Sequence, residues 1–299
     1  MTTVMPIKKA VIPVAGLGTR MLPATKAIPK ELLPVFDRPI IEHVVREAIT
    51  AGITEIIFVT RSGKEAIENH FDAHYELEHR LVHNGKKKIL ESIASIIPEN
   101  VKITSVRQAD ALGLGHAVLC AKHLLNDEPF AVLLPDVLIL DKESREQNFS
   151  FNQLVKSWSQ TGLGQIMVER IDSKEVESYG IVELAEEGCK PFESIPLRDL
   201  IEKPNLQDAP SNLAVLGRYI LPPAVLNFLE ITKPDLGGEI QLTDALSALL
   251  VSDGLNAFET DADTYDCGNK MGYLCANLAF GMREPKIRAK LSEIFAKNL

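Results

Sequence analysis

The chain has 299 residues, of which 45% are hydrophobic and 24% are charged, a balance typical of a globular protein with a sizeable buried core. This composition excludes collagen-like, coiled-coil and disordered chains, and the net charge of −9 argues against broad attachment to nucleic acid or anionic membrane. The first 40 residues differ, because six Lys and Arg residues outnumber two acidic ones and give this segment a charge of +4. A positive segment on an acidic chain is a candidate binding site for an anion.

The sequence carries no sign of membrane insertion, secretion or disulfide chemistry. No run approaches the roughly 18 apolar residues of a membrane helix, and the start lacks the basic, apolar and small-residue order of a signal peptide. We therefore expect a cytoplasmic protein. The four cysteines show no C-x-x-C spacing, which predicts free thiols at Cys120, Cys189, Cys267 and Cys275.

Short apolar runs alternate with segments of helical period in the first half of the chain. Strands are predicted at 10–14, 56–60, 101–106 and 130–134. Helices are predicted at 40–49, with a stop at Gly52, and at 64–71, 75–96 and 116–125. Continuous apolar runs such as Phe130–Leu134 are typical of strands buried on both faces, so we expect a parallel sheet covered by helices, a Rossmann-like doubly wound α/β fold.

Strands are less regular after about residue 150, which predicts a mostly parallel but mixed sheet. The predicted strands are 165–170, 179–184, 212–221 and 256–260. The predicted helices are 151–160 and 240–250, the stretch 270–297 is expected to be mostly helical, and a polar loop rich in Glu and Pro extends to Pro196. With no repeat or low-complexity linker, we expect one continuous domain over 8–268 and a C-terminal helical extension over 269–299.

A glycine-rich turn, Gly16-Leu17-Gly18, directly follows the first predicted strand, where α/β proteins commonly bind phosphate. It matches neither common fingerprint, since Met21 stands where a dinucleotide-binding loop needs its third glycine and no Gly-Lys pair follows at P-loop spacing. Arg20 and Lys30 lie in the segment that follows the turn, which contains three prolines and cannot form one helix. The pattern favours an ordered anion-binding loop over a surface loop with solvated charges.

Asp136 ends the buried run Leu133-Leu134-Pro135, at the sheet edge where open α/β sheets bind ligands. Magnesium commonly uses one or two protein carboxylates together with phosphate and water, so Asp136 is a candidate ligand. A helix N-cap or turn aspartate is an equally good interpretation of the local sequence. Asp266 is a candidate second carboxylate, although local sequence alone does not select it.

A family resemblance is carried most specifically by one long stretch, KKAVIPVAGLGTRMLPATKAIPKELLPVFDRPIIEHVV. The shorter stretches that support it are GLGHAVLCA, LLPDV, YGIV, EKP, SNLAVLGRYIL, GEIQLTDAL and YDCGNKMGY. Over nearly its whole length the chain resembles the bacterial UTP–glucose-1-phosphate uridylyltransferases of the sugar-phosphate nucleotidyltransferase family. Thymidylyltransferases of the same fold usually have Ala-Gly-Gly where this chain has Val14-Ala15-Gly16. That difference favours uridine.

The resemblance implies a set of site residues. Those expected to line the uridine nucleotide are Ala15, Gly16, Glu31, Gln108 and Gly113. Those expected to act in catalysis by holding phosphates are Arg20, Lys30 and Lys203. Those expected to contact glucose and its phosphate are Gly180, Glu202 and Lys203. Those expected to hold Mg²⁺ are Asp136 and Asp266.

The resemblance also implies an activity and an assembly. The expected reaction transfers the uridylyl group of UTP to α-D-glucose 1-phosphate, giving UDP-glucose and pyrophosphate, in a homodimer or homotetramer without nucleic-acid or membrane partners. Two alternatives stay open, a thymidylyltransferase and a non-catalytic relative that binds sugar nucleotide and regulates a partner enzyme. The presence of all the expected catalytic charges argues against the second alternative.

Overall fold

The computed structural model describes residues 4–298 except 143, 187 and 189, and the described chain forms thirteen strands and eleven α-helices. The strands are β1 (Lys9–Pro13), β2 (Pro34–Val35), β3 (Arg38–Pro39), β4 (Glu55–Thr60), β5 (Lys102–Arg107), β6 (Phe130–Leu133), β7 (Val137–Leu140), β8 (Gly164–Arg170), β9 (Gly180–Leu184), β10 (Ser194–Glu202), β11 (Leu213–Leu221), β12 (Leu255–Glu259) and β13 (Asp263–Asp266). The helices are α1 (Ile40–Thr50), α2 (Glu65–Phe71), α3 (Tyr75–His83), α4 (Lys87–Ala94), α5 (Gly113–Cys120), α6 (Lys122–Leu125), α7 (Phe149–Thr161), α8 (Val225–Ile231), α9 (Leu242–Ser252), α10 (Lys270–Met282) and α11 (Pro285–Asn298).

The first half of the main sheet is parallel, as the buried apolar runs predict. Its strands lie in the order β5-β4-β1-β6 and pair in parallel register. From β1 the chain moves outward to β4 and β5 and then returns to place β6 on the other side of β1. This reversal makes a topological switch point between β1 and β6, and open α/β sheets bind ligands at the carboxyl ends of such strands.

The second half of the sheet is mixed and curls on itself. β11 is antiparallel to β6 and β8, β12 is parallel to β8, and β10 is antiparallel to β12 and β9. β9 also pairs with β11, which closes β11, β8, β12, β10 and β9 into a ring. Seven of the nine described strands of this sheet still point the same way, so the predicted mixed, mostly parallel α/β fold is confirmed.

Two features of the second half differ from the prediction. The predicted polar loop reaches Pro196, but β10 begins at Ser194 and continues to Glu202. The strand buries only Leu197 and Leu200, and a register shift between them breaks the alternation by which a half-buried strand is recognised. Helix α8 was also not predicted.

Two predicted helices have different bounds in the structure. The predicted helix at 75–96 is two helices, α3 and α4, because Gly85 has a φ of +66° and ends the first. The helix predicted at 116–125 begins at Gly113 instead and is two helices, α5 and α6. This earlier start brings Gly113, a predicted nucleotide residue, to the first turn of α5.

A two-stranded ribbon of β7 and β13 lies beside the main sheet and was not predicted. The strands pair antiparallel with Asp266 opposite Val137, the residue that follows Asp136. The backbone N–H of Cys267 donates to the carbonyl oxygen of Asp136 at 2.7 Å. The ribbon therefore carries a segment 130 positions further along the chain to the carboxyl end of β6.

Helices cover both faces of the sheet and enclose a core on each. Successive residues of β1 point to opposite faces, with Ala10 and Ile12 in one apolar cluster and Val11 in the other. Helices α1 and α7 pack over the first face, and α5, α8 and α9 over the second. In the described part of the chain, no helix has the length and apolarity that a membrane crossing requires.

Helix α10 packs against the first core by one face. Tyr273 and Phe280 of α10 contact the first core, whereas Met271 and Leu274 of the same helix are exposed. The boundary at 268/269 and the homo-oligomer both stay predictions. Cys120, Cys267 and Cys275 are free thiols, as predicted, and Cys189 lies outside the described residues.

Candidate active site

The glycine-rich loop follows the carboxyl end of β1, and the next segment of the chain, residues 19–32, folds back against it. Gly18 has a φ of +66°, and a Cβ atom built on it would lie 3.2 Å from the Cβ of Lys30, so the position suits glycine. This segment forms three short 3₁₀ turns, at 19–21, 24–26 and 30–32, rather than one helix. The hydroxyl of Thr25 donates to the carbonyl oxygen of Gly18 at 2.8 Å. Lys30 is thereby brought back against the loop.

Lys30 and Asp136 meet across the switch point between β1 and β6. Lys30 Nζ lies 2.5 Å from Asp136 Oδ2, and each side chain is only 15% exposed. Burial alone would lower the pKa of Lys30, but attraction and hydrogen bonding to Asp136 outweigh it, so the pKa lies above its ordinary value. Lys30 therefore keeps its positive charge at neutral pH.

Arg20 and Asp266 form a second cation and carboxylate pair beside the first. Arg20 Nη1 lies 3.5 Å from Asp266 Oδ2. The Asp266 carboxylate also accepts hydrogen bonds from Gly268 N at 2.8 Å and Asn269 Nδ2 at 3.0 Å, where Asn269 caps α10. The start of α10 thus fixes the orientation of Asp266.

Both pairs converge on Gly268. A Cβ atom built there would lie 2.8 Å from Asp136 Oδ2, 2.8 Å from Asp266 Oδ1 and 2.7 Å from Arg20 Nη2. The two carboxylate oxygens are therefore separated by at most twice 2.8 Å. Among the described residues no group of three or more His, Cys, Asp or Glu could hold a metal ion. Two converging carboxylates are a donor set that Mg²⁺ accepts when phosphate and water complete its shell.

Cys267 directly follows Asp266 but has no properties of a nucleophile. Its side chain is buried, and burial, together with the negative charges of Asp136 and Asp266, raises its pKa to about 12. A thiol with that pKa stays protonated at neutral pH and reacts slowly. The chemistry of these described side chains is therefore that of positioned charges.

Gln108 and Gly113 lie together at the carboxyl end of β5. Gln108 Nε2 is 3.0 Å from the carbonyl oxygen of Gly113 and 3.0 Å from His116 Nδ1. Gly113 has a φ of +90°, and a Cβ atom on it would lie 2.8 Å from the carbonyl oxygen of Ile240. Strand β4 lies between β5 and β1, so a stretch of the sheet edge separates Gln108 and Gly113 from the glycine-rich loop.

Glu31 is brought near the loop but is fully buried. Its Oε2 lies 2.7 Å from Nζ of Lys64, a buried lysine that no sequence motif selects, and its Oε1 has no hydrogen-bond partner among the described residues. Burial raises the pKa of Glu31 although Lys64 opposes this, and burial lowers the pKa of Lys64 although Glu31 opposes it. In this structure the carboxylate has no surface that a nucleotide could contact.

The residues predicted for glucose lie at the ends of β9 and β10. Gly180 pairs with Glu202, and a Cβ atom on Gly180 would lie 3.3 Å from Glu202 Oε2. Thr243, which was not predicted, donates to the same oxygen at 2.6 Å. Lys203 follows with a φ of +44°, and its Nζ lies 3.3 Å from Glu202 Oε1.

A cavity of about 340 Å³ lies beside Asp266. Its lining includes Tyr179, the neighbour of Gly180, together with Val137 and Asp266. Cavities of about 490 and 600 Å³ occur elsewhere, and none of the predicted site residues lines them. Of the predicted site residues, Asp266 lines the cavity of about 340 Å³, and Gly16 lines another of about 170 Å³.

Comparison with known proteins identifies the family. The family model described as "Nucleotidyl transferase" matches residues 9–281. UTP–glucose-1-phosphate uridylyltransferase of Haemophilus influenzae is 47% identical over 97% of this chain and 98% of its own length. A solved UTP-bound UGPase from Acinetobacter baumannii is 46% identical with a TM-score of 0.89, covering 97% of this chain and 99% of that one. A solved UDP-glucose pyrophosphorylase complexed with UDP-glucose is 37% identical with a TM-score of 0.83, covering 93% of this chain and 100% of that one. With a site of paired charges at the switch point of its sheet, this chain belongs to the nucleotidyltransferase family.

Proposed function

We propose that the chain transfers the uridylyl group of UTP to α-D-glucose 1-phosphate and releases pyrophosphate, giving UDP-glucose. The observation that carries this proposal is the convergence of Lys30, Arg20, Asp136 and Asp266 at the carboxyl edge of the sheet. Relatives whose names specify this reaction match nearly the whole chain, which supports UTP and glucose 1-phosphate as the substrates. The cytoplasm as compartment and a homodimer or homotetramer as assembly remain predictions from the sequence.

In this proposal the nucleotide lies along the carboxyl ends of β1, β4 and β5. Ala15 and Gly16 offer backbone groups beside the phosphates, and Gln108 and Gly113 contact the uracil. Gln108 suits this role, because its side-chain amide can both donate and accept hydrogen bonds, as the uracil edge requires. Glu31 is retained as a predicted contact of the uracil and ribose, which requires its buried carboxylate to become exposed.

Glucose 1-phosphate lies on the other side of Asp266. Gly180 leaves room beside Glu202, whose carboxylate accepts from sugar hydroxyls while Thr243 fixes one of its oxygens. Lys203 grips the phosphate of this substrate. Its positive φ turns the chain sharply after β10, and its side chain is largely exposed.

Members of the family generally use a divalent metal, and we propose Mg²⁺ as the ion here. Asp136 and Asp266 would hold it, since their oxygens converge on one point at Gly268. When bound, the ion supplies positive charge that offsets the repulsion between the two phosphate-bearing substrates.

The reaction needs alignment and charge compensation rather than a protein nucleophile. The phosphate oxygen of glucose 1-phosphate is already an anionic nucleophile and attacks the α-phosphorus of UTP directly. Lys203 holds that attacking phosphate in place, and Lys30 with Arg20 stabilises the charge that develops on the departing pyrophosphate. Such positioning and electrostatic stabilisation account for most of the catalysis of phosphoryl-type transfers.

Pyrophosphate release from the purified protein tests the proposal. The assay contains glucose 1-phosphate, Mg²⁺ and, in turn, UTP, dTTP, CTP, ATP or GTP, with parallel samples that lack the sugar phosphate. We expect release only with the sugar phosphate and fastest with UTP. Faster turnover of dTTP would indicate a thymidylyltransferase, and the absence of release with every nucleotide would indicate a non-catalytic binding protein.

A further inference from the structure

The short segment between β6 and β7 carries Asp136, and a wholly buried arginine lies against it. Arg218 of β11 stands opposite Leu133 in the β6 pairing and has no exposed surface. Its Nη1 donates to the carbonyl oxygen of Leu134 at 3.1 Å, and its Nη2 donates to that of Val137 at 2.7 Å. One guanidinium therefore ties the backbone on both sides of Asp136.

Glu47 of α1 holds the guanidinium from the other side. Arg218 Nε lies 2.9 Å from Glu47 Oε1 and Nη2 lies 2.8 Å from Glu47 Oε2, a bidentate pair. This pairing compensates the charge of a side chain that has lost all contact with water. The planar, five-donor guanidinium can face a carboxylate and two carbonyls at once, which a lysine ammonium cannot do in this geometry.

The backbone of β11 is shaped to bring Arg218 to this position. Its pairing with β8 shifts register between Val215 and Tyr219, and Gly217 in this interval has a φ of +70°. The carbonyl oxygen of Gly217 accepts from Leu134 N at 2.9 Å, and a Cβ atom on Gly217 would lie 2.5 Å from the Leu134 side chain. Bulges of this kind commonly re-aim a side chain beside an active site.

We propose that Arg218, held by Glu47, is a positioning residue that sets the Asp136 carboxylate for metal and phosphate chemistry. The inference rests on the proposed function, because that function gives Asp136 its role. Arg218 binds the carbonyl oxygens of Leu134 and Val137, and Cys267 N binds that of Asp136. With this backbone fixed, the Asp136 carboxylate faces Lys30 and Gly268. Arg218 is too deeply buried to touch a substrate and acts through Asp136.

Arg218→Lys tests this proposal, because lysine keeps the charge opposite Glu47 but cannot reach both carbonyls. Mn²⁺ is titrated into the full-length protein, with and without UTP, while the relaxation rate of water protons reports bound ion. Loss of a group that orients a metal ligand lowers metal affinity or activity by about 10–100-fold. We expect the Mn²⁺ midpoint to rise about tenfold and kcat to fall similarly, with the KM for glucose 1-phosphate unchanged.

Lys9→Met is the matched control. Lys9 is also a buried cation that donates to two carbonyls, those of Leu124 and Leu125, and pairs with a carboxylate, that of Glu128, but it lies at the opposite, amino end of β1. Its replacement should lower the free energy of unfolding without moving the Mn²⁺ midpoint or kcat. A purely structural role for Arg218 would make the two variants behave alike.

A second variant tests the same proposal independently of Arg218→Lys. The double substitution Glu47→Leu with Arg218→Met takes away both buried charges together, and such apolar exchanges are often tolerated in stability. We expect it to show the same shift of the Mn²⁺ midpoint as Arg218→Lys. A wild-type midpoint and kcat in either folded variant would overturn the proposal, whereas lack of pyrophosphate release by the wild-type protein would overturn the proposed function instead.

Discussion

Lys30 and Lys203 are the two lysines proposed to hold phosphate groups, and the structure surrounds them differently. Lys30 is 15% exposed and lies 2.5 Å from Asp136, at the end of two parallel strands. Lys203 is 57% exposed and contacts Glu202 at 3.3 Å, directly after β10, which pairs antiparallel with β9. The nucleotide side of the site is thus preorganised by buried partners, whereas the sugar side has an exposed cation. Charge removal should therefore lower kcat on the first side and raise KM on the second.

The largest effect is expected from Asp136→Asn or Lys30→Ala. Each removes one positioned charge from the preorganised side, and such losses cost about 10²–10³ in kcat. Steady-state turnover at saturating UTP and Mg²⁺ measures the effect, with Asp253→Asn, an exposed aspartate after α9, as the control. Near wild-type turnover in either site variant would show that the role assignments are wrong.

Gly268→Ala should have the next largest effect. The new methyl group would lie within 2.8 Å of both carboxylate oxygens and 2.7 Å of Arg20 Nη2, so these groups must separate. Overpacking typically costs about 1–3 kcal/mol, which corresponds to about 5–150-fold in rate if it falls on the reacting geometry. Gly281→Ala in α10 is the matched control, since its Cβ would meet atoms no closer than 3.5 Å. Equal turnover of the two alanine variants would refute the convergence at Gly268.

Lys203→Ala should act mainly on the sugar phosphate. A charged hydrogen bond contributes about 1.5–3 kcal/mol, so loss of this exposed lysine should raise the KM for glucose 1-phosphate at least about tenfold. The KM for UTP should stay within about twofold of wild type. A rise in the KM for UTP instead would place Lys203 on the nucleotide side and remove the contrast between the two lysines.

The smallest effect concerns the pH dependence of stability through Glu31. Burial raises the pKa of this carboxyl above 4.5 in the folded chain, despite the opposing charges of Lys64 and Lys30. Between pH 4.5 and the raised pKa, the folded chain holds a proton that the unfolded chain has lost, so the free energy of unfolding falls as pH rises. Urea unfolding at about pH 5 and pH 7 should show that Glu31→Gln flattens this slope, and an unchanged slope would contradict it.

The first half of the fold could be predicted because the burial of its strands is visible in the local sequence. Strands covered on both faces are continuous apolar runs, so Phe130–Leu133 is recognisable without its neighbours. β10 lacks this signal, since its two buried leucines are out of phase and its isoleucines, Ile195 and Ile201, are only partly buried. Its position depends on pairing with β9 and β12, which local pattern does not encode.

The site shows the same division between local and long-range information. The glycine-rich loop and Asp136 follow recognisable strands, so their place at the sheet edge can be predicted. Asp266 is a candidate that local sequence alone does not select, and the β7–β13 ribbon that brings it to Asp136 is not predicted from the sequence. The burial of Glu31 depends on Lys64, 33 positions away in the sequence, and no periodicity links the two. Arg218 did carry a signal, because a lone arginine in an apolar strand must find a partner.

The central claim is that the two sides of the site deliver their substrates to one direct displacement, with no covalent enzyme intermediate. The stereochemical course at the α-phosphorus tests it. A single isomer of UTPαS is converted with glucose 1-phosphate, and the configuration of the product is determined by ³¹P NMR. A single in-line displacement predicts inversion. Retention would require two successive displacements through a group on the protein and would contradict the account.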